Sequence, residues 1–282
     1  MKCLARLAPF CFLTIASYAQ QTISLPIIVE GASQSSLPIQ AANVKVEVNH
    51  EPVPVASATS LSDKHLQYVL INDARVHVKW PGGTDQQAQV AKELLKQVIT
   101  PGSDIGTLIN YGDGVFLDVE NERDPKKLSS KIAADATSPT RLYDAIVTGV
   151  QRFAKQPASP DGRKVIFLVC DAMESESHVS LEDAVKALQK ASLPIFVFVP
   201  SHLEKKKEGQ SMRELAENSG GRVYFLPPNT KHLKFDSLKS DLADSFLLTL
   251  SLTSQKGLVP LSIAEPGSPQ TPIHYPRQVF VP

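Results

Sequence analysis

A chain of 282 residues with 42% hydrophobic and 21% charged side chains can bury a sizeable core and falls in the globular class, with one main domain as the natural expectation. Its 29 basic and 29 acidic residues cancel, which removes the basic field that nucleic acid or an anionic membrane surface would require. From the start of the chain, Lys2 and Arg6 precede the apolar stretch LAPFCFLTIA, and Ser17-Tyr18-Ala19 offers small residues for cleavage. This is the pattern of a secretory signal peptide over 1–19, cut near Ala19. The stretch is too short to span a bilayer and no longer apolar run occurs elsewhere, so a soluble secreted or periplasmic protein without membrane insertion is expected. Loss of Cys3 and Cys11 leaves Cys170 alone, and a lone thiol cannot form an internal disulfide.

Residues 20–65 form an N-terminal extension rich in Ser, Pro, Ala and Gln, broken by NVKVEVNH, whose alternating Val44, Val46 and Val48 predict a peripheral strand. QYVLIN then reads as a buried strand. Over 84–99, Thr84 offers a cap and Val90, Leu94, Leu95 and Val98 share a helical face. DIGTLINYGDGVFLDV predicts a hairpin turning at Asp113-Gly114. A short helix follows Asp124, with Pro125 at its first position and Leu128 and Ile132 inward. Helix 141–155 carries Leu142, Ile146, Val150 and Phe153 on one stripe and leads to the apolar strand RKVIFLVCD. Ser180 with Asp183, and Ser211 with Glu214, read as capping boxes opening two helices around the strand PIFVFVP. EKKKEG at 204–209 reads as a solvated loop. Gly220-Gly221 ends the second of those helices, RVYFL resumes the sheet, and a last helix over 236–246 carries Leu238, Leu242 and Phe246 before the β-like LLTLSLTS. The Pro-rich stretch from Ala264 to Pro282 excludes helix and central strand, so 253–282 is expected as an extended C-terminal extension.

Runs such as VIFLV and IFVFV are apolar on both faces, which only a sheet covered on both sides tolerates. The predicted fold is α/β: an open, doubly wound, mostly parallel sheet with helices on both faces and one antiparallel edge hairpin. Such sheets place their sites at the carboxyl ends of the strands. Asp73 follows QYVLIN, Asp171 follows VIFLVC, and Thr140 stands just ahead of helix 141–155, so two carboxylates and a hydroxyl are expected at one edge. That is a hard-cation composition.

The order LINDARVH, PTRLYDAIVTGV, KVIFLVCDAMESES, LPIFVFVP and LAENSGGRVYF resembles the von Willebrand factor A (vWA) domain, in the variant common in secreted bacterial proteins, over 66–252. The resemblance implies a protein-interaction or adhesion module. Its metal-ion-dependent adhesion site would combine an Asp-x-Ser-x-Ser loop, a Thr and a Ser-Asp-Gly loop on Mg²⁺. Asp73, Thr140 and Asp171 match three of those five positions; Arg75 and His77 replace the two hydroxyls, and Cys170 and Ala172 stand where Ser and Gly are implied. A fixed positive charge about 4 Å from a cation repels it by roughly 4 kcal/mol per unit charge at an effective dielectric of 20. Three readings of Arg75 follow: counter-charge to Asp73 and Asp171 in place of an ion, a solvent-facing loop side chain, or a neighbour of a retained Mg²⁺.

The leading expectation is a non-catalytic module without cofactor that binds an unidentified protein partner through Asp73, Arg75, His77, Thr140 and Asp171, with Arg75 and His77 attracting a partner carboxylate. The alternatives are a Mg²⁺-dependent adhesion domain and a hydrolase using His77 or Ser175, although no Gly-x-Ser-x-Gly elbow is present. No phosphate loop supports a nucleotide. Ser177 and His178 crowd the same loop as Ser175, Cys170 is expected to be a buried small hydrophobe, and Trp80 with PGG at 81–83 is a candidate recognition loop.

Overall fold

In a computed structural model, residues 21–32, 40–75, 86–134, 139–155, 162–228, 233–252, 255–264 and 272–282 are described. The signal-peptide segment, His77, Trp80 and Thr84 lie outside them. In chain order the strands before the central sheet are β1 (Gln21–Val29), β2 (Lys45–Val48), β3 (Glu51–Val53) and β4 (Val55–Ser60). The middle of the chain supplies β5 (Leu66–Asp73), α1 (Gln86–Val98), β6 (Ile105–Tyr111), β7 (Val115–Glu122), α2 (Pro125–Lys131), α3 (Leu142–Lys155) and β8 (Arg163–Val169). It continues with α4 (Leu181–Ala191), β9 (Ile195–Pro200), α5 (Lys207–Asn218), β10 (Arg222–Leu226) and α6 (Asp236–Ala243). The chain closes with β11 (Ser245–Leu252), β12 (Gly257–Ala264), β13 (Ile273–His274) and β14 (Gln278–Val281).

The central sheet has the order β10-β9-β8-β5-β6-β7, parallel throughout except for the antiparallel β6–β7 edge hairpin. All eight residues of β5 and all six of β9 are buried, because alternate side chains enter different cores. On one face Tyr68, Leu70, Phe167 and Phe198 pack with Leu94 of α1, Leu128 of α2 and Leu238 of α6. On the other, Val69, Ile71, Ile166 and Val197 pack with Ile146 of α3, Leu188 of α4 and Leu215 of α5. The helix starts follow local chemistry: Asp124 accepts the Lys126 N–H with Pro125 at the first position, and Ser180 and Asp183 form the reciprocal capping box.

The flanking segments, expected as two extensions, fold together. Strands β13-β1-β11-β4 make one four-stranded sheet and β14-β12-β2-β3 another. Their inward residues, among them Leu25, Ile27, Val46, Val48, Leu248, Leu250, Ile263 and Val281, share one core. β11 therefore belongs to this β-module and not to the central sheet. Its burial alternates from Phe246 to Leu252, the signature of a sheet with one covered face. Within the described residues 272–282, β13 and β14 lie at the edges of the two sheets.

Three local expectations are corrected. α5 begins at Lys207, a turn before Ser211, and the Ser211 hydroxyl donates back to the Lys207 carbonyl instead of capping. Part of EKKKEG is thereby helical. α6 stops at Ala243, so Phe246 is a strand residue of the β-module core. Among the described residues no helix is long and apolar enough to cross a membrane.

Candidate functional site

β5 and β8 are neighbours, and the sheet order reverses between them, so their carboxyl ends open the crevice where open α/β sheets bind ligands. Asp73 ends β5, and Asp171 follows β8 after Cys170. Each carboxylate folds its own loop: Asp73 Oδ1 accepts the Arg75 N–H at 3.1 Å and Asp171 Oδ1 accepts the Met173 N–H at 2.9 Å. These paired Asx-turns aim both side chains inward.

The Arg75 guanidinium lies between them. Its Nε donates to Asp73 Oδ1 at 3.0 Å, and its Nη2 donates to Asp73 Oδ2 at 2.7 Å and to Asp171 Oδ1 at 2.8 Å. The side-chain exposures are 4% for Arg75, 0% for Asp73 and 11% for Asp171, so the cluster is desolvated. Burial pulls the guanidinium pKa down, but hydrogen bonds and charge from Asp73, with the charge of Asp171, outweigh it and hold Arg75 above its ordinary value. Arg75 is thus a fixed cation. Its three side-chain hydrogen bonds go to the two acids.

Thr140 is buried beside this cluster without joining it by a hydrogen bond. Its hydroxyl donates to the Met173 carbonyl at 3.3 Å, and its N–H donates to Ser175 Oγ at 3.0 Å. The Asp171 loop is further stapled to the start of α3. Glu174 Oε2 accepts the Leu142 N–H at 2.8 Å, Ser177 Oγ accepts the Tyr143 N–H at 3.0 Å, and Asp144 accepts the His178 N–H at 2.9 Å. The first two bonds satisfy N–H groups that the start of α3 leaves open, and the third ties the loop to α3.

Sequence reasoning missed Glu174 and Tyr111. Tyr111 pairs with Asp73 in the parallel register, is fully buried, and its hydroxyl has no hydrogen-bond partner among the described residues. Burial first, and then the charge of Asp73, push this phenol well above its usual range. The register of two parallel strands was the available signal for Tyr111. Glu174 gave none, since its role depends on a loop conformation.

The donor set does not fit Mg²⁺. The oxygens of Asp73 and Asp171 that face each other are bound to one guanidinium nitrogen, Thr140 donates to a carbonyl, and Ala172 has no donor. The Cys170 thiol is fully buried, with its pKa pushed well up by burial, and its Sγ lies 4.0 Å from Met212 Sδ. Of the hydrolase candidates, His77 lies outside the described residues, and Ser175 Oγ accepts the Thr140 N–H. His178 Nδ1 is 2.8 Å from Asp144 Oδ2, yet neither the Ser175 nor the Ser177 hydroxyl is hydrogen-bonded to His178 among the described residues.

Beside Asp171 lies a cleft of about 160 Å³ lined by Met173, Pro200, His202, Leu203, Lys206 and Glu208. Met173 is 45% exposed in the Asp171 loop. Burial, and then the Lys206 charge, hold His202 below its ordinary pKa.

No protein-family model matches the chain, and no curated protein matches it. Among solved structures, proximal thread matrix protein 1 (PTMP1) of the mussel byssus is 12% identical with a TM-score of 0.47, covering 67% of this chain and 48% of its own. The same mussel protein with a zinc-occupied MIDAS motif is 13% identical with a TM-score of 0.49, covering 70% of this chain and 50% of its own. The conserved hypothetical protein BatB of Bacteroides thetaiotaomicron is 12% identical with a TM-score of 0.48, covering 63% of this chain and 95% of its own. The chain spans about half the length of the mussel protein it matches.

Proposed function

We propose that the chain is an exported vWA-like protein-interaction module that acts without catalysis and without a bound divalent ion. The observation that carries this reading is the Arg75 Nη2 atom, 2.7 Å from Asp73 and 2.8 Å from Asp171 at the carboxyl edge of the sheet. A side-chain cation there supplies the neutralisation that Mg²⁺ supplies in the family the sequence resembles. The strand order, read from β5 outward on both sides with β7 antiparallel, supports the doubly wound vWA-like arrangement.

With Arg75, Asp73 and Thr140 buried, the contact surface of this edge is Met173 and the cleft beside Asp171. A partner would place an apolar group on Met173 beside Asp171. Calorimetric titration with Mg²⁺ and Mn²⁺, together with melting in EDTA, tests the metal-free reading. No binding heat and an unchanged melting temperature are expected. Micromolar affinity for either ion overturns the reading in favour of a Mg²⁺-dependent adhesion site. Cross-linking to envelope proteins, compared between wild type and Met173→Asp, tests the surface. Equal cross-linking by both proteins removes Met173 from it.

A further inference from the structure

The two edges of the central sheet are built differently. β7 closes one of them with two register shifts and with Asp118, Glu120 and Glu122 along it, devices that discourage further strand pairing. β10 closes the other with neither device. It pairs with β9 in continuous register from Arg222 to Leu226, holds no proline, and carries one charge, at its first position. A parallel strand bonded on one side directs alternate N–H and C=O groups away from its neighbour. Among the described residues no backbone hydrogen bond reaches Arg222–Leu226 from that open side. Four of its five residues are half-buried, whereas all six of β9 are buried.

Alongside β10 runs a groove of about 310 Å³, lined by every residue of the strand and by Leu233, Lys234, Phe235 and Leu238. Aromatic rings give it an apolar body. The Phe198 ring, which also lines it, lies 5.1 Å from Tyr224 and 5.6 Å from Phe235, centroid to centroid. The charged residues of the lining are Arg222 and Lys234, with no Asp or Glu among them. Glu30 and Asp241 hold Arg222 at 2.8 Å and 3.1 Å, while Lys234 is exposed and forms no ion pair among the described residues.

We propose that β10 takes up an extended segment of a partner protein as a seventh strand, one whose apolar side chains enter the groove and whose acidic side chains meet Lys234. Backbone pairing supplies affinity in such an addition, and the groove with its cation supplies choice. A second copy of this chain fits less well. Two copies of β10 paired across a two-fold axis would bring both Lys234 side chains to one interface, with no acid from either groove to meet them. The surface shares no lining residue with the cleft beside Asp171, so it stands whether or not that edge is a contact.

The test is calorimetric titration of the full chain with three capped heptapeptides: alternating Glu and Val, alternating Lys and Val, and the Glu/Val sequence N-methylated at its three central residues. The Glu/Val peptide is expected to bind at one site below about 1 mM, with the other two at least about tenfold weaker. Amide exchange at Arg222–Leu226 should slow when the Glu/Val peptide is added. Lys234→Glu, at an exposed position, should remove the preference for Glu over Lys. The N-methylated peptide and the exchange measurement use the wild type, which keeps the test decisive if that variant fails to fold. Equal binding of the Glu/Val and Lys/Val peptides, undiminished binding of the N-methylated one, unchanged exchange at β10, or no saturable binding below about 1 mM overturns the proposal. A peptide-free dimer that protects the same amides also overturns it, in favour of a second copy.

Discussion

Replacing Arg75 by serine removes the buried cation and restores a hydroxyl where the resembled family has one. The Asp73 and Asp171 oxygens lie 2.7 Å and 2.8 Å from one nitrogen, so they are at most about 5.5 Å apart. Two unit charges at that separation repel by roughly 3 kcal/mol at an effective dielectric of 20. Three charge-assisted hydrogen bonds are lost as well, and water entering the gap recovers part of them. The net destabilisation is expected at about 3–5 kcal/mol, the range for breaking a buried ion pair. At roughly 2–4 °C per kcal/mol for a domain of this size, melting should fall by about 10 °C in EDTA. Millimolar Mg²⁺ should recover part of the loss in Arg75→Ser and leave the wild type unchanged, because a ligand stabilises only the state that binds it. Circular dichroism melts of both proteins with and without Mg²⁺ measure this. A variant as stable as wild type, or a wild type that melts lower in EDTA, refutes the counter-charge argument.

Ala172 holds φ at +62°, a left-handed conformation that costs an L residue about 1 kcal/mol, so Ala172→Gly should raise stability by about 0.5–1 kcal/mol in urea titrations. Gly209 lies inside α5, where alanine is intrinsically better by about 1 kcal/mol, yet an added Cβ would sit 2.0 Å from the Leu203 carbonyl oxygen. Gly209→Ala should therefore destabilise by about 3 kcal/mol or more, read from the denaturant midpoint. Glu30 bonds His274 Nε2 at 2.9 Å and Arg222 Nη1 at 2.8 Å, and the hydrogen bond from His274 is the largest cause holding its carboxyl below the ordinary value of 4.5. A lowered acid pKa stabilises the fold above the unfolded value and loses that contribution as pH falls through the folded one. Glu30→Gln should thus flatten the loss of stability below about pH 4.5, by less than about 1 kcal/mol because the pair is partly solvated. Urea midpoints at neutral pH and at about pH 3.5 check it, bearing in mind that burial raises the neighbouring Asp241 and works in the opposite sense.

The central sheet was legible because burial on both faces writes an unbroken apolar run, as in β8 and β9, and because α1, α3 and α4 carry a complete helical stripe. The β-module was not, although its strands alternate cleanly. Ile23 pairs with Leu250 and Val46 with Ile263, over separations at which no local pattern names the partner. Proline also misdirected the reading: Pro26 lies inside β1, but β13 pairs only with Ile28 and Val29, so no ladder partner stands beside Pro26 on that side among the described residues. At the carboxyl edge, the convergence of Asp73 and Asp171 was legible from the strand ends, whereas Arg75 as their counter-charge was one of three readings left open. The same argument could not reveal that Thr140 serves the Asp171 loop, or that Glu174 caps α3, because both depend on backbone directions the sequence does not encode locally.

Two buried arginines at opposite ends of the strands make the electrostatic argument testable by one kind of substitution. Arg75 is saturated by two acids, whereas Arg163 has a carbonyl partner and no ion pair among the described residues. Replacing a buried, compensated cation leaves uncompensated anions behind. Replacing an uncompensated one removes a desolvated charge and strands at most the Leu242 carbonyl, a loss of about 1 kcal/mol. Methionine matches much of the arginine stem in each case. Arg75→Met should therefore destabilise by about 3–5 kcal/mol, while Arg163→Met should be neutral or stabilising by about 1–2 kcal/mol. Urea unfolding of both variants in ligand-free buffer decides the sign. If Arg163→Met costs as much as Arg75→Met, the guanidinium at the start of β8 is structurally compensated.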